Sequence, residues 1–315
     1  MVTARPLDAR AQPAGLPRIA YVCGRSLGTD AQWLEAFRAG LARTGYVDGQ
    51  NVIIDARWAN GKFAEVPALI GELMALKPRV IAAVGGDPVG VVAKAATSTI
   101  PVVFAAGSDP VRLGLVGDME KPSRNLTGVT LWASELDVKR LDLLHEILPA
   151  ARKVALLTNP TSSAAVHERQ AMLAAAASLG LELKVLDAAS SADIEHAFQS
   201  LAPGKVDALA VVDDAFLISR RDRIVGLAAL RKLPAVYPSR AFTETGGLLS
   251  YGPRWSDMYR TIGSYAGRIL DGEKPADLPV QRPIAYELFL NRRTAAALRL
   301  SPPAALLDRA DKLIE

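Results

Sequence analysis

One cysteine, Cys23, stands in 315 residues, so no disulfide can close within the chain and metal sites built on several cysteines are excluded. No run of about 18 apolar residues occurs, and no segment reads as a membrane span. The three histidines, His145, His167 and His196, fall within amphipathic helical segments. None has a serine or cysteine beside it or a His-x-x-x-His spacing, which argues against a catalytic triad or a zinc site. No Walker lysine follows a glycine loop, and GGDPVG is not GxGxxG, so a nucleotide cofactor has weak support. Charged residues make up 22% with a net charge of +4, spread along amphipathic segments instead of gathered in blocks, and nucleic acid is not an indicated partner. No cofactor is expected.

What the chain does have is hydrophobic content, half of its residues, and a length beyond a single core of roughly 150 residues. Six short apolar runs end abruptly in small or polar residues: VIAAVGGDP, VVFAAGSDP, VALLTNP, ALAVVDDA, PAVYPSR and GLLSYGP. Each reads as a buried parallel strand opening into a loop at its carboxyl end, where open α/β sheets bind ligands. Strand and helix alternate from Arg18. The helix after the first strand is expected over Ala31 to Thr44, with Trp33, Leu34, Phe37 and Leu41 on one stripe. After Asn125 to Gly128 the cycle restarts, so two doubly wound α/β lobes lie in tandem. Spacings near residues 130, 252 and 280 predict three crossings between lobes, a hinge. Lobe I is then 18–130 with 253–279, lobe II is 131–252 with 280–315, and 1–17 is a residual leader. Within that leader Ala9-Arg10-Ala11 before Gln12 has the form of a signal-peptidase site without an apolar stretch before it. A trimmed export signal, a start assigned downstream or a chance match all account for it.

The strand ends carry the candidate site. Asp87-Pro88, Asp109-Pro110 and Asn159-Pro160 repeat one device, a side-chain oxygen followed by a proline suited to a first helical position. It either caps a helix or leaves amides free for an anionic ligand group. Gly85-Gly86 and Gly107-Ser108 allow close approach to the backbone. Asp213-Asp214 offers acceptors to a ligand amine or ring N–H, or else one helix cap and one solvated group; consecutive side chains diverge, which argues against a carboxylate dyad. Trp132, Phe216, Tyr237 and Tyr251 stand at strand ends or junctions and suit either stacking on a flat ligand or packing. Arg240 suits a carboxylate or an interlobe salt bridge.

Several segments together, among them VIAAVGGDPVGVVAKAATSTIPVVFAAGSDPVRLGLV, NLTGVTL, KRLDLLHEILP, GGLLSYGP and RILDGEKPADLPVQ, resemble the ABC transporter substrate-binding protein family that includes tryptophan-binding, TrpX-like members. The likeness runs from about Arg18 to Glu315. It implies a type I periplasmic-binding-protein fold, export to the periplasm, a monomer, and partnership with a permease and an ATPase on other chains. Carried over position by position, it implies a pocket of Ser26, Leu27, Gly85, Gly86, Asp87, Gly107, Ser108 and Asp109 facing Asn159, Asp213, Phe216 and Arg240, with Trp132 and Tyr251 at the hinge. Many relatives have Thr or Ser where Asp87 stands. The expected function is hinge-closing capture of a small solute such as an aromatic amino acid, a purine base or an aromatic acid, without catalysis. A doubly wound enzyme and an effector-sensing domain are the alternatives.

Overall fold

The computed structural model describes residues 15–315 apart from Ser123, Trp132, Ser163 and Pro203. The expected leader up to residue 14 and the site assignment of Trp132 lie outside the described residues.

Strands β1 (Arg18–Cys23), β2 (Ile53–Trp58), β3 (Val80–Val84), β4 (Val102–Ala106) and β5 (Leu126–Thr130) form a parallel sheet ordered β2-β1-β3-β4-β5. β3 and β4 are buried along their whole length and β1 over all but its first residue, because helices cover both faces, which is why they read as unbroken apolar runs. β2, at the edge, is half-buried throughout. The helices of this lobe are α1 (Leu27–Ala42), α2 (Val66–Ala75) and α3 (Asp87–Ala96). α1 starts four residues earlier than its apolar stripe suggests, at once after the loop that leaves β1.

The chain then enters a second lobe: α4 (Ala133–Ile147), β6 (Lys153–Thr158), α5 (Ala165–Ser178), β7 (Glu182–Asp187), α6 (Ser191–Gln199), β8 (Ala208–Val211), α7 (Ala215–Ser219), α8 (Arg221–Leu230), β9 (Ala235–Tyr237), α9 (Arg240–Glu244) and β10 (Leu249–Pro253). It returns to the first lobe as α10 (Trp255–Leu270), and comes back as β11 (Tyr286–Asn291), α11 (Arg292–Ala297), α12 (Ala304–Arg309) and β12 (Lys312–Ile314). The second sheet runs β12-β11-β10-β9-β8-β6-β7, with β11 antiparallel to β10 and the other pairs parallel.

α10 closes lobe I by lying against α1 with the backbones almost in contact. A Cβ on Gly40 would fall 2.0 Å from the carbonyl oxygen of Arg260, and one on Gly263 would fall 2.0 Å from that of Phe37. Only glycine permits that approach. The segments that pass between the lobes are tied side by side. Thr130 N–H donates to Gln281 O at 2.9 Å, Gln281 N–H to Gly128 O at 3.0 Å, and Arg254 N–H to Ala285 O at 3.0 Å.

Both sheets place a topological switch point at the same end. In lobe I the strand order reverses between β1 and β3, and in lobe II the chain runs from β6 outward to β7 and then back past β6 to β8. Loops leaving strands on either side of such a point splay apart and open a crevice. The two crevices face each other.

Candidate functional site

A cavity of about 400 Å³ lies between the lobes, within the range of small-molecule sites. Lobe I supplies Arg25 after β1, Gly85, Gly86 and Asp87 after β3, and Gly107 and Ser108 after β4. Phe63, Trp255 and Met258 add apolar wall. Lobe II supplies Asn159, Thr161 and Ser162 after β6, Glu168 from α5, and Asp213, Asp214, Ala215 and Ile218 after β8.

The lobe I rim is internally satisfied. The Asp87 carboxylate reaches across to the neighbouring strand end, where Oδ1 accepts from Gly107 N–H at 2.7 Å and from Ser108 N–H at 3.3 Å, and Oδ2 accepts from the Ser108 hydroxyl. The residue thus caps the β4 loop although it opens α3. Gly85 and Gly86 have φ of +81° and +139°, in the region that favours glycine. Gly85 turns its bare face to Cys23 and Gly24, and a Cβ on Gly86 would lie 3.0 Å from the Cβ of Ala215 across the cleft. These glycines serve contact between strand ends and between lobes. Arg25, 3% exposed, donates to Asp30 Oδ2 at 2.6 Å and to the Tyr259 hydroxyl at 3.0 Å, with its guanidinium 4.9 Å above the Trp255 ring. The indole N–H of Trp255 is buried and has no partner among the described residues.

The lobe II rim differs. Asp213 is buried with Arg140, whose Nη2 lies 3.4 Å from its Oδ2; Arg140 also pairs with Asp137 and donates to the Tyr251 carbonyl at 2.6 Å. The expectation of one solvated aspartate therefore fails, because α4 packs its buried Asp137–Arg140 pair directly beneath this loop. Asp214 accepts from Leu217 N–H at 3.0 Å, capping α7, and from the Asn159 amide at 3.2 Å; burial pushes its carboxyl up to about 6. The side chain of Glu168, a residue 4% exposed, makes no hydrogen bond with the described residues. Burial first, then the charges of Asp137, Asp213, Asp214 and Asp87, pushes its carboxyl up to about 9.

Of the residues chosen from sequence, Gly85, Gly86, Asp87, Gly107, Ser108, Asn159 and Asp213 meet around this cavity. Six others lie off it. Ser26 and Leu27 sit at the start of α1, where Leu27 is turned outward and 51% exposed, while the preceding Arg25 points inward. Asp109 is held in a turn, accepting from Val111 N–H at 2.8 Å, and Pro110 begins turns instead of a helix. Asn159 similarly accepts from Thr161 N–H at 3.1 Å. Phe216 is packed into the lobe II core on the buried side of α7. Arg240 lies 5.2 Å above the Trp33 ring of lobe I, flanked by Glu244 and Glu287, so its role is interlobe contact. Tyr251 stacks on Tyr286, their ring centroids 5.9 Å apart. Tyr237 is buried against Phe242.

Arg25, Phe63, Glu168 and Trp255 escaped the site prediction, and Asp214 entered it only within the Asp213-Asp214 pair. For Glu168 a signal exists: the buried positions of α5 are Ala165, Glu168, Met172 and Ala176, an acid set in an apolar stripe.

The family model for ABC transporter substrate binding proteins matches residues 28–314. The chain belongs to this family. It is 27% identical over 210 residues to the tyrosine-binding protein of Clostridioides difficile (strain R20291), a match spanning 67% of this chain and 60% of that protein's length. Among solved structures, a conserved domain protein of Vibrio cholerae O1 biovar El Tor N16961 superposes with a TM-score of 0.87 at 27% identity, covering 94% of this chain and 99% of that one. An ABC domain of Streptococcus pneumoniae in complex with L-Trp gives 0.86 at 25% identity, covering 95% and 100%. The fold of this substrate-binding protein is the type I periplasmic-binding-protein fold, two α/β lobes with parallel sheets. Its homologues are substrate-binding proteins.

Proposed function

We propose that the chain is the solute-capturing component of an ABC importer, and that it holds a small aromatic or heteroaromatic solute between its lobes and hands it to a membrane permease served by a separate ATPase. The observation that carries this reading is the cavity walled from both lobes at their switch points. A solute that touches both rims favours the closed arrangement by its differential affinity for it, and closure is what a permease can read. The three hydrogen-bonded crossings are the proposed hinge, and the monomer is the proposed working unit.

Phe63, Trp255, Met258 and Ile218 give the cavity apolar walls, which suit a flat ring. Relatives named for tyrosine and solved with L-Trp support an aromatic solute. The family is exported or periplasmic, which supports work outside the cytoplasm; no helix among the described residues is long and apolar enough to cross a membrane.

A thermal-shift screen of aromatic amino acids, aromatic amines, nucleobases and aromatic acids tests the reading. One class should stabilise the protein, by about 2.7 kcal/mol at one hundred times its dissociation constant. Stabilisation only by non-aromatic sugars or inorganic ions, or turnover of any hit, would overturn it.

A further inference from the structure

We propose that the solute carries a positive charge and no free carboxylate, as an aromatic amine or a protonated nitrogen heterocycle does. This rests on the aromatic-solute reading above and narrows it.

The first observation is that the anion seat of lobe I is already occupied by the chain itself. Two amides and a hydroxyl converge at Gly107 and Ser108, the kind of strand-end cradle that takes a carboxylate. Asp87 fills it with its own carboxylate through all three donors. A solute carboxylate arriving there would find its donors used and a like charge in place, which disfavours it.

The second observation is the unbalanced charge of the walls. Asp87, Asp213 and Asp214 line the cavity against one cationic residue, Arg25. Arg25 shares its charge with Asp30 through Nε and bonds Tyr259 through Nη2. Its remaining Nη1 edge suits a neutral acceptor such as a phenol or ring carbonyl oxygen. Arg140 stands behind Asp213 and is held by Asp137 and two backbone carbonyls.

The third observation is independent of the acid count. Glu168 borders the cavity, is more than nine-tenths buried, and its side chain makes no hydrogen bond with the described residues. Its carboxyl group is therefore placed to meet a donor brought by a ligand. Around it stand Asp137 from α4, Asp213 and Asp214 from the β8 loop and Asp87 from α3, with Arg140 and Arg25 as the cations nearest those acids. The proton that burial and these charges hold on Glu168 is one a cationic solute would displace.

The test uses the purified chain and matched probes: tryptamine and tyramine, L-tryptophan and L-tyrosine, and the amine-free indole-3-propionate and 4-hydroxyphenylpropionate. Titration calorimetry should show an amine binding at least about tenfold more tightly than its amino acid, and the amine-free acids not binding. Proton release on amine binding should appear as a heat that changes with the buffer's ionisation enthalpy. Asp87→Asn keeps an acceptor for the Gly107 amide while removing the charge, and should narrow the preference for the amine about fivefold or more; Asp87→Ser gives a second route to the same comparison. Amino acid bound more tightly than amine in the wild type would overturn the inference and leave the aromatic reading standing. Binding of none of the six probes, with no aromatic or heteroaromatic hit in the thermal-shift screen, would overturn both.

Discussion

The two rims of the cavity arise from the same topology yet treat their charges differently. In lobe I every charged group at the rim is spent on the protein: Asp87 on the neighbouring strand end, Arg25 on Asp30 and Tyr259. In lobe II the acids outnumber their partners, Arg140 being shared by Asp137 and Asp213, with Glu168 left unpaired. A saturated rim is a shaped wall, whereas an unsaturated one is the half whose energy changes when a solute arrives. Fold alone does not distribute these roles; the side chains at equivalent strand ends do.

The contrast makes predictions of decreasing size. Arg140→Ala strips the cation from two buried aspartates and should cost about 3–5 kcal/mol in urea unfolding. Arg25→Ala frees one aspartate and should cost less; an equal or larger loss would break the contrast. Glu168→Gln should stabilise the empty protein by about 2 kcal/mol at pH 8. The sign follows from its carboxyl holding a proton to about 9 when folded against 4.5 otherwise. Across that window the folded state binds more protons, so wild-type stability falls as pH rises, and the variant should flatten the fall measured by unfolding at pH 5, 7 and 9. Arg240→Ala removes the guanidinium above Trp33 and should weaken solute binding by about 1 kcal/mol. Its unfolding midpoint should barely move, while small-angle scattering should show a larger radius of gyration.

Much of this was legible beforehand, for a physical reason. Strands buried on both faces must be apolar throughout, so β3, β4, β6 and β8 stand out, and the residue after each run is bound to lie at a rim. β5 did not, because Asn125 to Gly128 reads as the point where the cycle restarts, although every residue of Leu126–Thr130 is buried. The choice of side chain at each rim was less legible. Whether Arg25 or Leu27 faces inward depends on where α1 begins, and Asp109 and Phe216 were misplaced because a turn and a short helix re-aim the chain within two residues. Glu168 and Trp255 reach the cavity from helices, which a search confined to strand ends passes over.

The close seating of α10 on α1 also has a bearing on how the molecule is made. The surface of α1 around Phe37 and Leu41 is covered by a helix that begins more than 200 positions later, at Trp255. Lobe I therefore cannot complete its core as a nascent chain until the main body of lobe II has followed it. Such distant pairing slows folding and leaves apolar surface open in the meantime. Until α10 has been made, the Phe37 and Leu41 face of α1 stays uncovered, and lobe I waits on a segment made late in synthesis.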